Sequence, residues 1–130
     1  MFLDTSGLFC MHNTDELRSE ESVDSFEAAD GKMTHNYVLA ELVALSLARG
    51  MTRVKTLGFV KAILGHPQVK VIWVDETLNG IAIQLLETRP DKNYSLCDAV
   101  SFVLMRRHAS LEALTTDHHF EQEGFVRLLK

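Results

Sequence analysis

The sequence predicts an α/β fold, a three-layer α/β/α sandwich around a central parallel sheet of four to five strands. Short apolar segments alternate with segments of helical length, which is typical of parallel strands joined by helical crossovers. The opening segment MFL is apolar throughout, as expected of a strand buried on both faces of such a sheet. The 130 residues contain no internal repeat, low-complexity stretch or linker, so we expect a single domain over residues 1–130.

Five segments have the apolar or β-branched composition that favours strands. The segment VKVIWV is the clearest of them, because β-branched and aromatic residues fill it almost completely. The predicted strands cover residues 1–3, 32–35, 69–74, 111–114 and 125–128.

Capping residues and breaks mark the helices between these strands. Asn36, Asp75 and Ser95 are residue types that cap helix N-termini, and Gly50 and Gly65 are placed to end helices. A turn or short helix is predicted at residues 8–12, and helices at residues 15–29, 36–49, 52–64, 75–88, 95–108 and 117–123.

Composition excludes several classes of protein. No apolar run approaches the roughly 18 residues of a membrane span, and no signal-type segment precedes the first strand. Cys10 and Cys97 lack zinc-site spacing, so we expect reduced thiols and a cytoplasmic location. The net charge of −5 argues against a generally basic nucleic-acid binder, although it leaves room for one that depends on cations.

Two acidic residues follow predicted strands directly. Asp4 ends the first strand and precedes Thr5 and Ser6, and Asp117 follows the strand at residues 111–114 after Thr116. Because the carboxyl ends of parallel strands line the ligand crevice, the two acids meet there if the strands are neighbours. The alternative is that these residues only cap the helices that follow.

Two further acids lie alone in apolar helical segments. Glu41 is the only charge in YVLAELVALSLA, a segment predicted to be largely buried, and Asp98 is the only charge in LCDAVSFVLM. A buried carboxylate must be protonated, paired or bound to a metal. The alternatives are that Glu41 pairs with Arg53 or reaches water, and that Asp98 forms a capping box with Ser95.

Ser101 lies one helical turn after Asp98 and on the same face. It is a possible supporting residue for the site, and the alternative is that its hydroxyl is satisfied by its own helix backbone.

Together, Asp4, Glu41, Asp98 and Asp117 predict an acidic cluster that repels itself unless cations bind. Carboxylate oxygens favour Mg²⁺ or Mn²⁺ over zinc. One or two such ions activate a water molecule and stabilise the leaving oxygen in phosphodiester hydrolysis. The cluster therefore predicts a metal-dependent phosphodiesterase.

Taken together, the segments FLDTSGLF, THNYVLAELVAL, YSLCDAVSFVLM and ALTTDHHFEQEGF resemble the PIN-domain family, specifically its small VapC-type ribonuclease toxins. The resemblance runs nearly end to end. It implies a metal-dependent RNA endonuclease, frequent homodimers and a cognate antitoxin that blocks the site with its C-terminal tail. It assigns Asp4, Glu41 and Asp98 to the three core acids of the family and Asp117 to the more variable fourth. Thr5 or Ser6 stands where the family often has a hydroxyl near the metal.

The residues after the fourth acid depart from the family pattern, because His118 and His119 stand where many members have acidic or basic residues. Histidine titrates near neutral pH, so at most one of them is expected to contact phosphate or assist proton transfer, with His118 as the candidate and the other at the surface or in packing. Two rival functions remain: a non-catalytic PIN-like module that binds RNA or protein, and a DHH-type phosphoesterase suggested by the triplet Asp117-His118-His119.

Overall fold

A computed structural model describes all 130 residues, and its centre is a five-stranded sheet. The strands are β1 (Phe2–Leu3), β2 (Lys32–His35), β3 (Val69–Ile72), β4 (Glu112–Leu114) and β5 (Val126–Arg127), in the order β3-β2-β1-β4-β5. Every neighbouring pair is parallel, and Phe2 is in register with Met33 on one side and Ala113 on the other. The predicted parallel sheet is confirmed, with β1 and β4 as neighbours.

Seven helices cover the sheet and connect its strands. They are α1 (Thr5–His12), α2 (Ser19–Ala28), α3 (Asn36–Ala48), α4 (Arg53–Leu64), α5 (Glu76–Glu87), α6 (Leu96–Arg107) and α7 (His119–Gln122). Helix α1 packs against α2 and α3, and α3 packs against α4. These four helices also contact β4, β2 and β3, whereas α5 packs against α6. The arrangement is that of the predicted three-layer sandwich. None of the helices combines the length and the hydropathy required to cross a bilayer.

The central strand β1 is buried on both faces, as its composition predicts. Phe2 and Leu3 have no solvent-exposed surface. The Phe2 ring lies 6.2 Å from that of Phe120, which in turn meets Phe102 of α6 edge to face at 5.0 Å. These aromatic contacts connect β1 to α7 and, through α7, to α6.

The start of α3 differs from the prediction, because His35 is its N-cap and Asn36 is its first helical residue. Nδ1 of His35 accepts a hydrogen bond from the Val38 N–H at 3.4 Å, and Oδ1 of Asn36 accepts one from the Val74 N–H at 2.6 Å. Burial lowers the pKa of His35 to about 4, so its imidazole is neutral and leaves Nδ1 free to accept. Asn36 therefore ties the helix start to the end of β3.

The prediction that α3 is largely buried was wrong. Val38, Leu39 and Leu42 face the core, but the opposite side of the helix is open and Glu41 is exposed. The exposed side carries alanines such as Ala40 and Ala44, which cost little in water because their apolar area is small. An apolar composition therefore did not indicate a helix buried all round.

Gly7 lies where α1 crosses the end of β4. A Cβ at this position would lie 2.0 Å from the carbonyl oxygen of Leu114, far inside van der Waals contact. We expect Gly7→Ala to lower the free energy of unfolding by about 3 kcal/mol or more, because rigid backbone must move to admit the methyl group. Urea denaturation followed by circular dichroism measures the loss.

Gly58→Ala is the matched control for this steric effect. Gly58 lies inside α4, and a Cβ added to it would have no atom within 4 Å, so alanine should raise stability by up to about 1 kcal/mol through helix propensity. Equal effects of the two substitutions would contradict the close approach of α1 and β4.

Candidate active site

The carboxylate of Asp4 is the most buried acidic group of the site, with 5 % of the residue exposed. Its Oδ2 accepts a hydrogen bond from the Thr115 hydroxyl at 2.7 Å. Burial, together with the negative charges of Asp98 and Glu41, raises the pKa of Asp4 to about 7 despite the lowering effect of the Thr115 hydrogen bond. The carboxyl group thus titrates close to neutral pH.

Two hydroxyl groups join Asp4 to the end of β4. Oγ of Ser6 lies 3.0 Å from Oγ1 of Thr115 and accepts a hydrogen bond from the Thr116 N–H at 2.9 Å. Oγ1 of Thr115 also accepts from the Asp117 N–H at 3.0 Å. Because the Thr115 proton is directed to Asp4, Ser6 donates in the contact between the two hydroxyls. The network therefore fixes Asp4 relative to Asp117.

Thr115 was not among the predicted site residues, whereas its neighbour Thr116 was. Thr115 is fully buried and its hydroxyl contacts Asp4, and Thr116 contributes its backbone N–H. The pair of hydroxyls after β4 was visible in the sequence, but nothing in the pattern indicated which of the two points towards Asp4.

The second half of the site brings together Asp98, Asp117 and His119. Nδ1 of His119 lies 3.1 Å from Oδ2 of Asp98 and 3.4 Å from Oδ2 of Asp117. One ligand atom from each residue lies within 4.8 Å of the other two, which is a spacing that a single cation can bridge. Asp117 also accepts from the His119 N–H at 2.9 Å, and this turn delivers the imidazole to the acids.

The structure brings His119, and not the candidate His118, to the acids, and a role of either histidine in phosphate contact or proton transfer stays a prediction. The His118 side chain is 64 % exposed and its Nδ1 lies 3.8 Å from Asp117. His118 therefore points to solvent.

Asp98 has both of the roles considered for it. It forms the capping box of α6: its Oδ2 accepts from the Ser95 N–H at 3.1 Å, and its own N–H donates to Ser95 Oγ at 3.0 Å. The same carboxylate contacts His119 and lies close enough to Asp4 to raise its pKa. The helix start thus places a buried acid in the crevice.

Ser101 makes the bonds expected of the structural alternative. Its hydroxyl donates to the Cys97 carbonyl at 2.9 Å and lies 2.9 Å from Nε2 of His35, so its hydrogen-bonding capacity is used inside the core. It makes no hydrogen bond to any of the four acids.

Glu41 reaches the site from the exposed side of α3. It makes no salt bridge, with Arg53 or with any other residue, and its charge raises the pKa of both Asp4 and Cys97. The prediction that its carboxylate is buried was wrong, although its proximity to Asp4 agrees with the expected cluster.

The donors present suit a hard divalent cation. Asp4, Asp98 and Asp117 supply carboxylate oxygens, with Glu41 nearby, and the Thr5 hydroxyl is a buried polar group without a hydrogen-bond partner. Mg²⁺ and Mn²⁺ prefer such oxygen ligands, and Mn²⁺ also accepts an imidazole such as that of His119.

Glu123, at the C-terminal end of the short helix α7, anchors this helix and with it His119. The Glu123 side chain is 4 % exposed. Its carboxylate forms salt bridges with Nε of Arg89 at 2.7 Å and with a guanidinium nitrogen of Arg106 at 2.5 Å. Tyr94, on the loop before α6, meets the His119 ring edge to face at 5.2 Å. Packing and ion pairs therefore fix the position of the histidine.

Comparison of the chain with known protein families agrees with the parallel sheet and with the acids at its carboxyl edge. The chain belongs to the PIN-domain family, whose model matches residues 1–125. Among solved structures, the chain is similar to the Mycobacterium tuberculosis protein VapC20, described as a toxin that cleaves the sarcin–ricin loop. The two are 28 % identical, with a TM-score of 0.89 over 99 % of this chain and 98 % of that one. No curated protein showed significant sequence similarity to the chain.

These comparisons confirm three predictions: the PIN family, its fold, and a ribonuclease similar to the toxins of that family. The family consists of nucleases, so the phosphodiester chemistry inferred from the acids has independent support.

Proposed function

We propose that this protein is an endoribonuclease that requires Mg²⁺ or Mn²⁺, with Asp4, Glu41, Asp98 and Asp117 as the residues that hold one or two ions. The observation that carries the proposal is the convergence of acids from four parts of the fold: Asp4 after β1, Glu41 in α3, Asp98 in α6 and Asp117 after β4. Thr115 links Asp4 to Asp117, and His119 links Asp117 to Asp98.

The residues of the site have different roles in binding the cations. Because burial raises the pKa of Asp4 to about 7, a cation that binds this carboxylate at neutral pH displaces a proton from part of the molecules. Ser6 and Thr115 orient Asp4, and His119 holds the carboxylates of Asp98 and Asp117 side by side. Bound cations would supply a water of lowered pKa and would neutralise charge on the leaving oxygen.

The likeness to VapC20, described as a toxin that cleaves the sarcin–ricin loop, supports RNA as the substrate. A cognate antitoxin as a partner and a cytoplasmic location are part of the proposal. A homodimer is part of the proposal, and an apolar patch on α4 supports it. Val54, Leu57 and Leu64 of this helix are 82 %, 42 % and 43 % exposed, respectively. Exposed apolar area of this kind favours association.

The test incubates purified protein with a structured RNA in Mg²⁺ or Mn²⁺ and, in parallel, in EDTA. We expect internal cleavage that EDTA abolishes, with 5′-phosphate and 3′-hydroxyl ends, because a water nucleophile produces those ends. Products with 2′,3′-cyclic phosphates would reject the mechanism. Hydrolysis of dinucleotides alone would favour the phosphoesterase, and RNA binding without cleavage would favour the binding module.

The two adjacent histidines give a sharper prediction about the site. His119→Ala should lower kcat/KM by about 10- to 100-fold, because the carboxylates of Asp98 and Asp117 lose the group that orients them. His118→Ala is the matched control and should stay within about twofold, since its ring faces solvent. Initial-rate kinetics on the same RNA measure both, and equal losses would contradict the assignment of His119.

A further inference from the structure

A cleft of about 210 Å³ opens beside the acid site, between α1, α3 and the segment that joins α1 to α2. Its apolar wall includes Phe9 and Leu45, and its charged groups are Glu16, Arg18 and Arg49. Of the four cavities in the protein, this one shares residues with the acid site and contains arginines.

The cleft is connected to Asp4 through hydrogen bonds. Ser6 and Thr116 line it, and Ser6 contacts Thr115, whose hydroxyl donates to Asp4. A group bound in the cleft therefore lies next to whatever the acids hold.

Arg49 presents unused hydrogen-bond donors to the cleft. Its guanidinium carbon lies 5.7 Å from the centre of the Phe9 ring, and its nearest carboxylate, on Glu16, is 4.0 Å away. The Arg49 side chain is 60 % exposed and makes no hydrogen bond. The Phe9 ring therefore holds the guanidinium in place while its N–H groups remain free to donate. Arg18 differs, because its guanidinium already donates to the carbonyl oxygen of Lys130.

The size and the charge of the cleft indicate what it accepts. Its volume is below the roughly 300–1,000 Å³ of pockets that enclose a drug-sized ligand, so it suits a fragment such as a phosphate with part of a sugar. The chain carries a net charge of −5, and an RNA approaching the acids needs cationic donors nearby. A guanidinium matches the geometry of phosphate oxygens.

We propose that this cleft binds a backbone phosphate of the RNA next to the cleaved bond. Arg49 donates to the phosphate oxygens, and Glu16 competes for the same guanidinium. This inference rests on the proposed ribonuclease function and adds to it the residue that positions the strand.

The test measures binding of a fluorescein-labelled single-stranded RNA by anisotropy in EDTA over a series of salt concentrations. Arg49→Gln should raise Kd by about fivefold and reduce the slope of log Kd against log salt by about 0.7, as expected for one lost phosphate contact on a single strand. Glu16→Gln should lower Kd by about twofold, and this gain should vanish in the Arg49→Gln background. Opposite effects of the two single variants are not expected if the pair is merely structural, because both would then weaken the fold.

Arg53→Gln is the matched control, since it removes the same charge from an exposed residue that lines none of the cavities. Unchanged Kd and salt slope in Arg49→Gln, or equal changes in Arg53→Gln, would overturn the proposal. Parallel cleavage assays separate the two levels of inference. If the wild type cleaves RNA and Arg49→Gln has unaltered Kd and KM, phosphate binding in the cleft is rejected and the ribonuclease function is not. If binding depends on Arg49 but the wild type does not cleave, the ribonuclease function is rejected and phosphate binding is not.

Discussion

Asp98→Asn should abolish RNA cleavage while leaving the fold intact. Asparagine has nearly the same shape, and its amide oxygen can still accept from the Ser95 N–H, so the capping box of α6 is kept. The lost charge lies between His119 and Asp4, where the proposed cations bind. Loss of groups that only orient ligands costs about 10- to 100-fold, so loss of a ligand should cost at least about 100-fold in kcat/KM.

The measurement pairs cleavage rates with circular dichroism and thermal melting of the same preparation. Asp24→Asn provides the control, because Asp24 is exposed on α2 and makes no hydrogen bond or salt bridge. The variant at Asp98 should melt no earlier than wild type in EDTA, since one repelling charge has gone. Cleavage at wild-type rates would remove Asp98 from the mechanism, whereas loss of activity together with loss of the fold would show that its capping role dominates.

The positions of Asp4 and Asp117 followed from a rule about sheets and not about individual residues. Parallel strands end at the same edge, so residues after β1 and β4 meet once those strands are neighbours, as they are in this protein. The sequence could not show that β1 and β4 are neighbours. The structure shows that they pair directly within the sheet.

Lone charges in apolar helices predicted the burial of Asp98 correctly and that of Glu41 wrongly. Asp98 is 8 % exposed because α6 is buried along most of its length, including Val100 and Phe102. Helix α3 has an equally apolar sequence, yet one side is open. Mean composition indicates whether a helix packs somewhere, but the number of elements that cover it is a property of the tertiary structure.

The distinction between adjacent residues of the same type could not be predicted. Thr115 and His119 contact the acids, whereas the residue pattern offered their neighbours Thr116 and His118 as possible supporting residues. The choice depends on the backbone turn after β4, where Asp117 accepts from the His119 N–H, so that the His119 ring reaches Asp98 while the neighbouring His118 ring stays mostly exposed. Local hydrogen bonds of this kind set the direction of side chains without any pattern in residue type.

Asp4→Asn should stabilise the protein in the absence of metal, and the gain should grow with pH. The pKa of Asp4 is raised to about 7 in the native state against 3.8 in the unfolded chain, so the native state binds more protons in that interval. Wild-type stability therefore falls as pH rises through the interval, and it stays lower above it. The difference in pKa corresponds to about 4 kcal/mol, which asparagine removes because it carries no titrating charge.

The readout is the difference between variant and wild type in free energy of unfolding, measured in EDTA from about pH 4 to pH 8. Asparagine offers fewer acceptor sites to the Thr115 hydroxyl and the Thr5 N–H, and because asparagine does not titrate, this cost shifts the difference by a constant and leaves its slope with pH unchanged. Asp24→Asn should give a difference that is flat with pH, because the side chain is exposed. A flat difference for Asp4→Asn would mean that its carboxyl group is not held neutral by burial and by its acidic neighbours.

Adding Mn²⁺ at the upper end of the pH range turns the same variant into a probe of the metal site. A cation that binds only the native state raises the free energy of unfolding by RT ln(1 + c/Kd), where c is the free metal concentration, so tighter binding gives a larger gain at a given metal concentration. Wild type should gain more from Mn²⁺ than Asp4→Asn, so the ranking of the two proteins should narrow or reverse as the metal concentration rises. Equal gains in the two proteins would mean that the cation binds away from Asp4. Its positive charge would then not offset the repulsion among Asp4, Asp98 and Glu41.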